Sequence, residues 1–328
     1  MTVPPPPTLA GIEAAADRLA GVAVTTPLIE SPALNTRAGG RVLLKAETLQ
    51  RTGSFKFRGA FNFLSQIPDD VRGNGVVAYS SGNHAQGVAA AAEIFGVPAT
   101  IVMPADAPQA KVENTRGFGA EVVPYDRQNE SREDIAAAIA NKSGATLVPP
   151  FDHIWTIEGQ GTVGLEIANQ CAGLDVRPDE VLVCCGGGGL TSGIAIALAD
   201  RSPSSSIRAV EPAGFDDAMR SLAAGQRLSN AAGASSICDA LLSPSTGEIT
   251  FAAMHAHGVT GLSVRDDDVR AAMAYAWHTL KLVLEPGGAV ALAAILAGKI
   301  ETKDRTIVAI LSGGNVDSAL FSACIDAA

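Results

Sequence analysis

The chain has 328 residues, 47% hydrophobic and 18% charged, with 34 glycines and a formal net charge of −10. That charge and a pI near 5.0 exclude a nucleic-acid partner, since phosphate binding needs clustered Lys and Arg and no basic run occurs. No uninterrupted apolar window reaches about 18 residues, which argues against a membrane span, and the length has room for two lobes.

The chain opens on "MTVPPPPTLAG", an extended tail without the basic-then-apolar pattern of a secretory signal, so a cytoplasmic protein is expected. Strands are predicted over residues 41–47, 75–80, 99–104, 120–125, 145–150, 180–185, 206–212 and 306–312, each a short apolar run. Alanine-rich helical stretches such as "GVAAAAEIFG", "SREDIAAAIANKSG" and "TSGIAIALADRS" lie between them. Alternation of this kind predicts an α/β fold, a mainly parallel sheet flanked by helices on both faces. No linker, charge block or repeat interrupts it, so two lobes would be interleaved.

After the first strand comes "TGSFKFRGA", Thr52 to Ala60, where Lys56 stands between two phenylalanines at a predicted helix start. Lysine is costly to desolvate. Lys56 is either an exposed residue of an amphipathic helix or an amine held in a pocket where it reacts. The strand at 75–80 leads into "SSGNHAQG", in which Ser80 and Ser81 are also apt helix caps. Further on, "ESREDIA" places Arg132 and Glu133 at a capped helix start. "PPFDHIWTI" brings the bulk of Phe151 and Trp155 ahead of "EGQGT".

The strand at 180–185 runs into Gly186, Gly187, Gly188 and Gly189, then a helix from about Leu190. Contiguous glycines can turn backbone N–H groups inward, and a helix N-terminus adds the positive end of its dipole. The loop is either a phosphate cradle or a flexible turn, and its strand and helix flanks favour the cradle. It matches neither the Walker nor the spaced dinucleotide pattern, so neither ATP nor NAD is indicated. Next, "VEPAGFDDAM" sets Glu211 at a strand end, with Asp216 and Asp217 in a first helical turn, where acids ordinarily complement the dipole. Three glycine- and serine-rich loops, "SSGNHAQG", "GGGGLTSG" and "SGGNVD", follow strands and predict one shared cleft at their carboxyl ends. The five cysteines show no CxxC spacing and read as buried free thiols, and His153, His255, His257 and His278 fit no metal spacing.

Taken in order, "GSFKFRGA", "SSGNHAQGVA", "GQGTVGLEI", the tetraglycine loop, "EPGGAV" and "LSGGNVD" resemble the fold-type II pyridoxal-phosphate enzymes, in particular the serine/threonine dehydratase and serine racemase group. The resemblance runs from about Thr26 to Asp317. It implies a two-lobed architecture, with residues 1–74 and 153–328 as a large cofactor-binding domain and residues 75–152 as a small domain closing over the substrate. It further implies a covalent imine between Lys56 and pyridoxal 5'-phosphate, with Phe55 flanking the ring. Gly186 to Gly189 and Leu190 would hold the phosphate, Asn83 the phenolic oxygen, and Ser312 would face the pyridine nitrogen. A hydroxyl there, unlike a carboxylate, does not stabilise a protonated ring nitrogen, so the ring withdraws electrons less strongly, which favours elimination over transamination.

By the same resemblance, Ser80, Ser81, Gly82, Asn83 and His84 clamp the substrate carboxylate, and Ser81 matches an opposite-face acid/base. Arg132 keeps a substrate with a second carboxylate in view, and Ser236 would line that pocket. Glu211, the Phe215 carbonyl and Asp217 match a divalent-cation site, whose oxygen ligands suit Mg²⁺, Mn²⁺ or Ca²⁺. The expected activity is β-elimination from L-threonine or L-serine to a 2-oxo acid and ammonia. Its rivals are 3-hydroxyaspartate or phenylserine dehydration, serine racemisation, and a cofactor-binding sensor without turnover. A small-molecule amino-acid substrate and a homodimer are expected. The chain ends soon after "SGGNVD", so feedback control through a C-terminal regulatory domain is not expected.

Overall fold

The computed structural model describes residues 6–80, 82–107 and 109–326. Ten strands are present: β1 (Leu28–Glu30), β2 (Arg41–Lys45), β3 (Val76–Tyr79), β4 (Ala99–Pro104), β5 (Glu121–Tyr125), β6 (Thr146–Leu147), β7 (Glu180–Cys184), β8 (Ser206–Pro212), β9 (Thr260–Val264) and β10 (Thr306–Ile310). They form two sheets, six strands in the order β1-β2-β10-β7-β8-β9 and four in the order β5-β4-β3-β6. Every pairing is parallel except that of β1 with β2. All eight anticipated strands form. The sequence reading passed over β1, with only three residues, and β9, whose "TGLSV" interrupts its apolar run with Gly261 and Ser263.

Strands buried on both faces explain the apolar runs. Val42 to Leu44, Val181 to Val183 and Ile307 to Ile310 lie in one core with the helix Pro286–Leu296, which is apolar and buried all round. A second core joins the helices Lys56–Ser65 and Asn83–Phe95 to β3 and β4. Between the sheets runs the helix Ile154–Gly173, packed on Lys56–Ser65 and on Gly189–Arg201. Its "GQGTVG" glycines allow backbones to touch, and a Cβ on Gly193 would lie 2.6 Å from the Gly161 nitrogen. No helix among the described residues is long and apolar enough to cross a membrane.

Candidate active site

The carboxyl ends of β3, β7 and β10 converge on one cleft of about 170 Å³, open at its mouth. Phe55, Lys56, Ser80, Gly82, Asn83, His84, Arg132, Gly186 to Gly189, Leu190 and Ser312 all line it, although the chain separates them by up to 257 positions (312 − 55). Ser81 lies outside the described residues. Two of the proposed residue groups lie elsewhere. Ser236 is not among the lining residues, because its hydroxyl donates to Asp266 at 2.6 Å. Glu211, Phe215 and Asp217 are also outside the cleft lining.

The lysine is presented by a short sequence of local constraints. A 3-10 turn, Arg51–Gly53, with Thr52 in the left-handed region (φ 61°), reverses the chain. Ser54 then bridges to Gly313, and the Phe55 amide donates to the Ser312 carbonyl at 3.2 Å. Lys56 therefore starts its helix beside the end of β10. Its half-buried amine donates to the Pro150 carbonyl at 2.7 Å and sits 5.3 Å from the Phe55 ring centre. Burial pulls the amine's pKa down to about 8, against an opposing pull from Cys184 and Glu285. A neutral amine at near-neutral pH is a nucleophile and a base.

Two residues further on, Arg58 anchors the same helix in a buried charge cluster. Its guanidinium donates to Glu47 (2.8 Å twice) and to Glu166 (2.6 and 3.0 Å). Lys45 donates to Glu166 at 2.5 Å and to the Thr26 carbonyl at 2.7 Å. Burial works against the charge of Glu47, yet Arg58 holds its carboxyl below the usual range.

The glycine loop forms the opposite wall. Gly188 has φ 91°, a conformation costly for any side chain, and a Cβ on Gly187 would strike the Phe151 ring at 2.3 Å. Among the described residues, no protein acceptor takes the N–H groups of Gly186 through Leu190, which open into the cleft at the start of the helix Gly189–Arg201. Five free amides and an amine of lowered pKa in one cavity fit an aldehyde carrying a phosphate. Phe151 thus shapes the cleft, whereas Trp155 packs on Phe63 and His153.

Asn83 is fixed from both ends, its amide donating to Glu285 at 2.6 Å and its carbonyl accepting from Asn315 at 2.7 Å. Glu285 lines the cleft, and its pKa is pushed up to about 7 by burial and by Asp239. It stands in the "EPGGAV" stretch, but sequence reasoning gave it no role. An acid just before a proline at a helix start reads as a boundary signal only. His84 is neutral, its pKa lowered to about 3 by burial and by Lys56, and its Nε2–H donates to the Val148 carbonyl at 2.9 Å. A ring held in that way is a weak base near neutral pH, and it lines the cleft beside Lys56. Arg132 stacks on Tyr79 (5.3 Å), and its Nε–H donates to Glu133 at 2.9 Å. Lys111 pairs with Asp239 across the mouth, a link that no sequence motif carried.

Glu211, Phe215 and Asp217, the residues expected to hold a cation, stand at the end of β8 and the start of the helix Asp217–Ala224. Both oxygens of Glu211 accept helix-start amides, from Ala218 and Met219 at 2.8 Å each. Asp217 accepts from Asn230 at 2.6 Å and from the Thr246 amide at 2.7 Å. Among the described residues no three His, Cys, Asp or Glu side chains gather as a metal site. These carboxylates organise the helix Asp217–Ala224 and its neighbours. The cysteine expectation holds, all five being free and buried.

The fold and the cleft define a fold-type II enzyme of pyridoxal phosphate. The family profile described as pyridoxal-phosphate dependent enzyme matches residues 20–313, and the chain belongs to that family. It is 41% identical to an L-threo-3-hydroxyaspartate ammonia-lyase of Pseudomonas sp, covering 95% of this chain and 96% of that one. To the serine racemase of Schizosaccharomyces pombe it is 38% identical, with 95% of each covered. A solved threonine deaminase from T.th. superposes with a TM-score of 0.89 at 42% identity, over 95% of this chain and 99% of that one. Maize serine racemase superposes at 0.92 and 35% identity, over 98% of each chain.

Proposed function

We propose that the protein is an ammonia-lyase that removes water from a β-hydroxy amino acid, with L-threonine and L-serine as substrates. The observation that carries this reading is the meeting of the Lys56 amine and five acceptor-free glycine-loop amides in one cleft. When bound, the cofactor supplies an aldehyde for the substrate's amino group and a ring that takes up the electron pair left at Cα. Gly186 to Leu190 would hold its phosphate, Lys56 would bind its aldehyde carbon, Asn83 would serve its phenolic oxygen, and Ser312 would serve the ring nitrogen. Ser80, Gly82 and the start of the helix Asn83–Phe95 orient the substrate carboxylate.

Lys56 takes the Cα proton, because its lowered pKa leaves a neutral fraction at physiological pH. The β-hydroxyl departs as water on gaining a proton from a general acid in the cleft, and the released enamine tautomerises to an imine. Water hydrolyses that imine, leaving a 2-oxo acid and ammonia. The residues 75–152 act as a small domain that closes over the substrate, and the assembly is a homodimer.

A second reading is supported by Arg132. Its guanidinium lines the cleft over Tyr79, where it would pair with a β-carboxylate, and the Pseudomonas relative is named for L-threo-3-hydroxyaspartate. Release of 2-oxo acid from threonine, serine, both 3-hydroxyaspartate diastereomers and phenylserine separates the two. Turnover of threonine and serine bears out the first reading. Silence on both beside rapid release from a hydroxyaspartate overturns it in favour of the second.

A further inference from the structure

We infer that Thr250 is a positioning residue for the glycine loop, aiming the Gly188 amide into the cleft by holding the Gly187 carbonyl away from it. This rests on the reading of that loop as the seat of the cofactor phosphate. A peptide unit is planar and trans, so its carbonyl and the following N–H point in opposite directions. Holding the carbonyl of one glycine therefore fixes where the next amide points.

Each loop carbonyl in question is held. That of Gly187 accepts from the Thr250 hydroxyl at 2.7 Å and from the Gly247 amide at 3.2 Å. That of Gly188 accepts from the Ser192 hydroxyl at 2.8 Å, and that of Gly189 from the same hydroxyl at 3.2 Å. Ser192 sits in the helix that follows the loop, so its help is local. Thr250 comes from a different element, 63 positions away, and is fully buried.

The element that delivers it is itself braced. Asp152 accepts the amides of Glu248, Ile249 and Thr250 at 2.9, 2.9 and 3.2 Å, capping the helix Glu248–Ala256. Asp152 follows Phe151, whose ring lies against Gly187. Two adjacent residues thus steady the loop, one by direct contact and the other through Thr250. Without the Thr250 hydroxyl, the Gly187 carbonyl keeps only the longer bond from Gly247, and the Gly188 amide loses its fixed bearing.

The test is titration of purified apo-protein with pyridoxal 5'-phosphate and, separately, with pyridoxal, which lacks the phosphate. Thr250→Val should weaken pyridoxal phosphate by about 10-fold, the usual cost of one buried hydrogen bond, and leave pyridoxal unchanged. Thr250→Ser, which restores the hydroxyl, should recover wild-type affinity. Thr250→Ala removes the same donor and must show the same selective loss if the valine variant fails to fold. A wild-type ratio of the two affinities in the valine or alanine variant, or an equal loss for both ligands, overturns the inference while leaving the loop's role intact. Wild-type protein that binds both ligands equally overturns the loop reading and the inference together.

Discussion

The two walls of the cleft are built from different materials. The wall on the six-stranded sheet is main chain, glycine amides backed by buried Ser312 and Glu285 at 3% exposure each. The wall on the four-stranded sheet is side chain, half-exposed around Ser80, Tyr79 and Arg132, whose side chain is 42% exposed. An amide cradle suits an anionic guest such as a phosphate and leaves little to vary. A wall of half-exposed side chains can change its guest by single substitutions without disturbing a core. This matches relatives that carry names for hydroxyaspartate, serine and threonine.

The sharpest way to break that contrast is at the amine between the walls. Lys56→Ala should remove the visible absorbance of the cofactor-loaded protein and 2-oxo acid release together, a loss of about three orders of magnitude or more. In wild-type protein, the rate of covalent capture should follow the neutral amine. The folded pKa of about 8 lies below lysine's usual 10.5, so the rate rises with pH and reaches half its plateau near 8. Stopped-flow absorbance across the pH range checks this, and a midpoint near 10.5 would show that the amine is not desolvated. Phosphate-side variants such as Thr250→Val should leave that midpoint in place.

The next largest effect lies beneath the floor. Arg58→Met leaves Glu47 buried at 0% exposure with its strongest partner gone. Removing one member of such a pair costs roughly 3–5 kcal/mol, whereas surface pairs cost far less. Denaturant unfolding of the apo-protein measures it, and a change below about 1 kcal/mol would mean that Lys45 and Thr26 suffice to hold Glu47.

How much of this was legible in the sequence follows from the range of each interaction. The glycine loop, the Lys56 stretch and the strands that feed the cleft are local patterns, readable from a dozen adjacent residues. The Asn315–Asn83–Glu285 chain joins residues 202 and 232 positions apart, and nothing in either neighbourhood announces the other. Thr250 lies in "GEITFAAMHAHG", an unremarked helix whose importance comes from what Asp152 and Gly187 place beside it. At Glu211 and Asp217 the sequence shows the acids but not their donors, and backbone amides from further along the chain reach both. Ser236 likewise was diverted by Asp266.

The smallest effect is expected where the two walls touch. Lys111, on the helix Gln109–Gly117 after β4, pairs with Asp239 on the turn Asp239–Leu241 against the other sheet. With the Asp239 side chain 50% exposed, solvent screens the pair, and it contributes about 0.5 kcal/mol or less. Lys111→Met should therefore leave the unfolding midpoint nearly unchanged. Its effect belongs in the chemistry of entry, since removing a cation from a mouth crossed by an anionic carboxylate raises KM by about threefold or less while kcat holds. Salt should raise the wild-type KM toward that of the variant and leave the variant's alone. A variant whose KM stays as salt-sensitive as the wild type's would assign the steering to Arg132 instead, the other cation on that wall.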